Sequence, residues 1–293
     1  MIGGAAAGVD ALGIHHPPAE APIRIVSLVP SLTELLFALG LGPAVVGRST
    51  FCVHPSPEID AVPRIGGTKK PRLDRIRTLA PTHVVVNVDE NRREDVSALR
   101  ELGSEIIVTH PLRPSDNLDL YALLGHVFSR KAEAERLTEL FSAELAATET
   151  VGRRLPSAPV LYLIWRAPWM TISEPTYISR MLALVNWQTL PLDPERRYPE
   201  IDLDDPRLEG VAEILLPSEP FPFGEKHARE LAAIRPGIPI RLVDGEYLSW
   251  YGSRAIAGLR YLRTLRQPAS PHRATASART GVPGGRRLRV EER

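Results

Sequence analysis

The sequence predicts an α/β fold of two lobes, each built on a parallel sheet, joined by a long backbone helix. Three observations carry this expectation. Short β-branched runs alternate with helix-patterned segments, the signature of parallel strands covered by helices. A central stretch with helical spacing and no strand signal divides the alternation into two blocks. An internal echo relates the blocks: Leu73-Asp74 precedes Val84-Val85-Val86 by the interval at which Leu203-Asp204 precedes Ile214-Leu215-Leu216, each copy reading as a helix leading into a buried strand.

The first lobe is expected over residues 23–116. It opens with a strand at Ile23 to Leu28 and a helix at Leu32 to Leu39 stopped by Gly40, with Ser31 and Glu34 in the arrangement of a capping box. Strands at Ala44 to Gly47, His83 to Val88 and Glu105 to Thr109 follow, separated by helices near Leu73 to Leu79 and Glu94 to Leu102. The linking helix is expected over residues 117–157, where Leu120, Leu123, Leu124, Val127, Phe128, Leu137, Leu140, Phe141 and Leu145 recur at helical spacing, with a kink near Ser129. The second lobe, residues 158–267, carries strands at Val160 to Ile164, Ala212 to Leu216 and Ile240 to Val243, with helices at Tyr177 to Leu184, Glu225 to Ile234 and Ser253 to Leu265. Residues 1–22 and 268–293 read as disordered tails, rich in Ala, Gly, Pro and Ser with little apolar surface to bury.

Bulk chemistry narrows the function. Lysines and arginines (36) nearly balance aspartates and glutamates (35), so no basic field points to nucleic acid or an anionic membrane surface. No run approaches the roughly 20 apolar residues of a membrane-spanning helix. Residues Met1 to Ala21 lack the positive start and continuous apolar core of a secretory signal. The single cysteine, Cys52, excludes an internal disulfide.

No G-x-S-x-G elbow, Walker loop, dinucleotide turn or Cys-His pairing occurs in a credible context, so no catalytic residue is assigned. Gly66-Gly67-Thr68-Lys69-Lys70 superficially resembles a phosphate cradle but lacks the strand-loop-helix frame and reads as a polar loop. His54, His83 and His110 show no paired ligand spacing and read as structural or surface histidines, and no metal ligand is assigned. A mixed site with Asp244 or Glu219 stays open. Asp89, Glu90 and Glu219 follow strand ends and are the available carboxylates. The offset of the echo relates Asp89 to Glu219, both placed where parallel sheets bind ligands. Three second-lobe segments after strands mix aromatics with Pro or Gly: Trp165 to Trp169, Pro217 to Gly224 and Asp244 to Gly252. Such loops present rigid faces suited to a large flat ligand, although core plugging explains any one of them alone. Glu219 and Phe221 are expected among the ligand-facing residues.

At these segments the chain resembles the helical-backbone metal receptor superfamily of ABC-transporter substrate-binding proteins, most closely its cobalamin-binding members, over about residues 23–265. The resemblance rests on Ser27-Leu28-Val29-Pro30-Ser31-Leu32-Thr33-Glu34, on Gly66 to Pro71 leading into Leu73-Asp74-Arg75-Ile76, and on Asp89 to Val96. The second lobe adds Trp165 to Met170, Leu216 to Phe223, Asp244-Gly245 and Ser249 to Arg254. It implies two Rossmann-like lobes of the class III periplasmic-binding-protein type, small opening motions, a monomer, and a corrinoid such as cobalamin held as ligand with no catalytic cofactor. It also implies roles: Phe51, Trp169, Tyr198 and Trp250, with an Asp244/Arg254 pair near the last helix, around the corrin, and Asp74 and Asp204 docking on an ABC permease. The same two acids emerge from the internal echo, and a plain reading as helix-dipole residues fits them equally.

The resemblance implies a periplasmic or extracytoplasmic location. The missing signal and the internal position of Cys52 keep a cytoplasmic one open. Phe51-Cys52-Val53-His54 departs from the more aromatic family loop, so a ferric siderophore or haem stays in view as ligand, as does a cytosolic corrinoid- or metal-handling protein or enzyme.

Overall fold

The computed structural model describes residues 8–193 and 195–267. In the first lobe β1 (Ile25–Ser27), α1 (Pro30–Ala38), β2 (Val45–Arg48), the hairpin β3 (Gly66–Gly67) and β4 (Lys70–Pro71), α2 (Leu73–Leu79), β5 (His83–Asn87), α3 (Arg93–Arg100) and β6 (Glu105–Thr109) follow in order. The sheet runs β2-β1-β5-β6, all parallel. After α4 (Asn117–Val127) and α5 (Lys131–Gly152) come β7 (Ala158–Trp165), β8 (Met170–Thr171), α6 (Tyr177–Ala183), β9 (Trp187–Thr189), β10 (Glu213–Pro217), α7 (Glu225–Ile234), β11 (Ile240–Val243), α8 (Gly245–Ser249) and α9 (Arg254–Arg266). Here β11, β10 and β7 are parallel, and the far edge of β7 is shared between parallel β9 and antiparallel β8.

The two-residue period of the strands sorts their apolar side chains into layers. Ile25, Val85 and Ile107 of the first sheet, and Val160, Tyr162, Leu215 and Val243 of the second, enter one core with α1, α4, α5 and α9. Val26, Val84, Val86 and Val108 face a separate core beneath α2 and α3. Leu161, Leu163, Ile214 and Leu216 do the same beneath α7. The lobes therefore share their central core, and each sheet presents its strand ends toward the boundary between them.

Four expectations are corrected. The linking segment is two helices, because α4 ends in a Schellman turn: Ser129 is left-handed (φ 53), its N–H bonds the carbonyl of His126, and the Arg130 N–H bonds that of Gly125 at 2.8 Å. The helix α5 then packs on α4, and at 22 residues spans ~33 Å. The Ser31–Glu34 capping box does not form, since Val29 is the N-cap of α1 and Ser31 is buried inside the first turn. The second copy of the echo is not an α-helix but a turn leading to a short 3-10 segment at Pro206–Leu208.

Residues 8–22 are not a loose tail. Ala11 N–H bonds the Val108 carbonyl at 2.9 Å, Asp10 accepts the Val108 N–H at 3.2 Å, and Ala19 N–H bonds the Val127 carbonyl at 2.7 Å. The buried His16 imidazole lies 3.2 Å from Asp10 and 2.7 Å from Glu105. Composition misread this segment because one buried acid and one buried histidine, rather than apolar area, anchor it. Residues 268–293 lie outside the described residues.

Candidate functional site between the lobes

The strand ends of the first lobe deliver Asp89 and Glu90 after β5 and His110 after β6. The Gly66–Pro71 hairpin braces them: Asn91 bonds the Thr68 carbonyl at 3.0 Å and Lys69 Nζ the Asp89 carbonyl at 2.6 Å. Gly66 sits at φ 104, and a Cβ there would lie 2.6 Å from the Lys70 carbonyl oxygen, which is why the hairpin needs glycine. This loop is a brace rather than a phosphate cradle.

Across the boundary, Arg197 grips both carboxylate oxygens of Asp89, with Nη2 to Oδ2 at 2.7 Å. His110 lies 3.5 Å from Asp89, and the Tyr198 hydroxyl is 3.5 Å from its Oδ2. Burial opposes ionisation of Asp89, but hydrogen bonds and charge from His110 and Arg197 outweigh it and hold the carboxyl at about 2. Tyr198, whose hydroxyl burial and the neighbouring Asp89 charge push up to about 12, also packs beside the Arg197 guanidinium.

Deeper in, the Tyr251 hydroxyl donates to Glu90 Oε1 at 2.8 Å. Burial pushes the Glu90 carboxyl up to about 7; the Tyr251 bond and Lys69 oppose this, and the charges of Glu219 and Asp89 add to it. Glu219 Oε1 accepts from Ser249 at 2.9 Å and from the Trp250 indole at 2.5 Å. Its carboxyl is also raised, chiefly by burial, against those hydrogen bonds and with the charges of Glu246 and Asp244. Gly245 makes this arrangement possible, because a Cβ there would meet Glu219 Cγ at 2.8 Å and its backbone at 2.9 Å.

The expected residues divide into groups. Phe51 (60% exposed), Tyr198 (41%) and Trp165 (42%), the last not named among the expected ligand residues, expose their rings to solvent. Trp169 stacks on Phe223 at 4°, and Phe221 meets Trp165 edge-on at 5.4 Å, so one aromatic cluster follows β7 and β10, and through Trp169 and Phe221 it packs on the second lobe's core beneath α7 instead of presenting those two rings as ligand faces. Trp250 is sunk (7% exposed) and holds Glu219 instead of offering a ring face. Arg254 lies 4.8 Å over that indole. The expected Asp244–Arg254 pair does not form. Asp244 turns back to cap α8 through the Tyr247 N–H, while Arg254 pairs with Glu34 of α1 at 2.8 Å and Glu246 at 3.0 Å. Asp74 and Asp204 are exposed on the surface of their respective lobes.

Sequence reasoning missed Arg197, Tyr251, Glu246 and the role of Glu34. Arg197 lies in a stretch without periodicity, next to an expected ligand residue. His54 contacts Glu246 at 3.1 Å, and His83 packs edge-on against Phe128. Among the described residues no group of three or more His, Cys, Asp or Glu is placed to hold a metal ion, and no helix is long and apolar enough to cross a membrane. Two surface hollows, of about 450 and 510 Å³, lie on the first lobe around Ala61–Pro63, away from this boundary.

Two sheets presenting carboxyl strand ends to one polar boundary define the two-lobed class of fold, and comparison with known proteins gives the family. The chain belongs to the periplasmic binding protein family, whose model matches residues 25–204. A vitamin B12-binding protein of Vibrio cholerae is 24% identical over 187 residues, covering 64% of this chain and 66% of that protein. The chain thus matches just under two thirds of that relative's length. Among solved structures, the periplasmic vitamin B12 binding protein of Vibrio cholerae superposes with TM-score 0.71 at 19% identity, covering 83% of this chain and 96% of that one. The S. aureus protein IsdE complexed with heme gives TM-score 0.71 at 18% identity, covering 85% and 100%. These likenesses establish the two-lobed α/β fold with parallel sheets.

Proposed function

We propose that this protein is a non-enzymatic receptor that captures cobalamin or a related corrinoid between its lobes and delivers it to an ABC permease. The observation that carries the reading is the boundary itself. Side chains of both lobes converge there on Asp89 and Glu90, with Glu219 of the second lobe close by, and the exposed rings of Tyr198, beside Asp89, and Phe51, beside the Gly66–Pro71 hairpin, flank them. Rigid aromatic faces around a few fixed polar groups suit a large planar chelate. In this reading Asp244 and Trp250 position the site, Arg254 ties its lobes, and Asp74 and Asp204 steer the receptor onto a basic permease mouth. The location that goes with this role is extracytoplasmic.

The equal superposition on a haem complex favours haem as the second reading. Calorimetry and absorption spectra with cobalamin, cobinamide and haem test both: the corrinoid reading expects stoichiometric binding without turnover and a corrin spectrum in the retained complex. Retention of haem alone would replace the ligand, and retention of none would overturn the receptor role.

A further inference from the structure

Most charged groups at the boundary are paired. Asp89 is held by Arg197 and His110, Glu34 and Glu246 by Arg254, and Glu246 also by His54. Glu90 and Glu219 differ. Neither has a cation within salt-bridge distance among the described residues. Each uses only Oε1, Glu90 toward Tyr251 and Glu219 toward Ser249 and Trp250. Their second oxygens accept no hydrogen bond from the described residues, and neither is sealed from solvent. Each carboxylate is thus fixed on one side and keeps a free acceptor on the other, one from each lobe, close enough that the charge of Glu219 acts on Glu90.

From this geometry we infer that Glu90 and Glu219 set ligand selectivity, admitting a tetrapyrrole whose rim carries carboxamide or cationic groups and rejecting one whose rim carries carboxylates. The inference rests on the receptor reading above and adds the charge class of the cargo. An amide N–H or a cation satisfies the free oxygens. A propionate facing them has no proton to offer and, once Glu90 is ionised, meets two negative charges in a partly desolvated place, where repulsion is stronger than in water. Haem carries two such propionates, whereas the corrin rim of cobalamin or cobinamide carries amides.

The test is a pair of binding isotherms, cobinamide and haem, on the full chain as wild type, E90Q, E219Q and the double variant. Glutamine keeps the shape, and unchanged circular dichroism checks the fold. The double variant is expected to bind haem about tenfold more tightly, the size of one pKa unit of charge interaction, and to gain nothing for cobinamide.

A second readout needs no variant. In the wild type, preference for cobinamide over haem should grow from about pH 6 to about pH 8.5 as Glu90 ionises, and this slope should vanish in E90Q. The variant separates Glu90 from the other groups that face it, namely Tyr251, Glu219, Lys69, Asp89 and Cys52, and from His110 and His54 nearby. Binding with an unaltered preference in the double variant, or a flat pH profile in the wild type, overturns this inference alone. Wild-type protein that binds neither tetrapyrrole overturns the receptor reading and this inference with it.

Discussion

Asp89 and Trp250 mark where reading residues from sequence succeeds and where it stops. A carboxylate just beyond a buried β-branched strand was visible as a strand-end group. That Arg197, 108 positions away, would clamp it was not, because Arg197 lies in no periodic segment. Trp250 was expected to face ligand on account of its aromatic, glycine-flanked loop. The indole N–H instead donates to the Glu219 carboxylate, and the ring is buried around that bond, as a buried indole N–H needs a partner. Two predictions belong at this scale. In Arg197→Ala the Asp89 carboxyl should rise from about 2 toward its ordinary 3.8, with His110 still holding it down in part, a loss of at most about 2 kcal/mol of interaction, as measured by NMR titration. The folded carboxyl lies below its unfolded value, so the pair contributes fully above about 3.8 and fades as the pH falls through about 2. Glu90 has the opposite sign. Its folded carboxyl at about 7 exceeds the ordinary 4.5, so the wild type should lose thermal stability relative to E90Q as the pH rises from about 4.5 through about 7.

Among the elements, those with a period or a strong run were legible: α2, β6, α7 and β11 fall where the sequence places them. The elements that were not expected are short. The β3–β4 hairpin and β8 have two residues per strand, β9 has three and α8 five, too few for periodicity to register. Yet they carry the site, because α8 places Glu246 and Ser249 while the hairpin braces Asp89. The joints between elements depend on buried polar groups. Asn117, fully buried at the start of α4, bonds the Pro114 carbonyl at 2.8 Å, the Tyr177 hydroxyl at 3.0 Å and the Gly252 N–H at 2.6 Å. Asn117→Ala leaves these groups without partners and should destabilise the fold by about 3 kcal/mol, read as a lowered denaturant midpoint at unchanged slope. Gly245→Ala should act on the site more than on the fold. The new methyl displaces Glu219, and ligand affinity should fall more than tenfold in titrations, while overpacking costs about 1–3 kcal/mol of stability.

For the molecule as a whole, the two-lobed architecture was legible, since two blocks of strand–helix alternation around a strandless centre admit few alternatives. The closure of the lobes was not, because it comes from side chains of distant segments meeting: Arg197 with Asp89, Tyr251 with Glu90, Arg254 with Glu34. With α4, α5 and a shared apolar core also joining the lobes, these polar ties are the part of the closure that substitutions at the boundary can release. Removing the outermost, in Asp89→Ala with Arg197→Ala, should speed ligand association several-fold in stopped-flow measurements and lower the melting temperature by only a few degrees, as the loss of one ion pair requires.

The segment from Gly8 to Pro22 carries a consequence of another kind. The strand β6 ends the first sheet, and its outer side would present bare amide and carbonyl groups if Asp10 and Ala11 did not occupy Val108. Unprotected sheet margins recruit other chains. The short N-terminal clasp covers that margin at Val108, and a version of the protein starting at Ile23 is expected to aggregate more readily in light-scattering measurements.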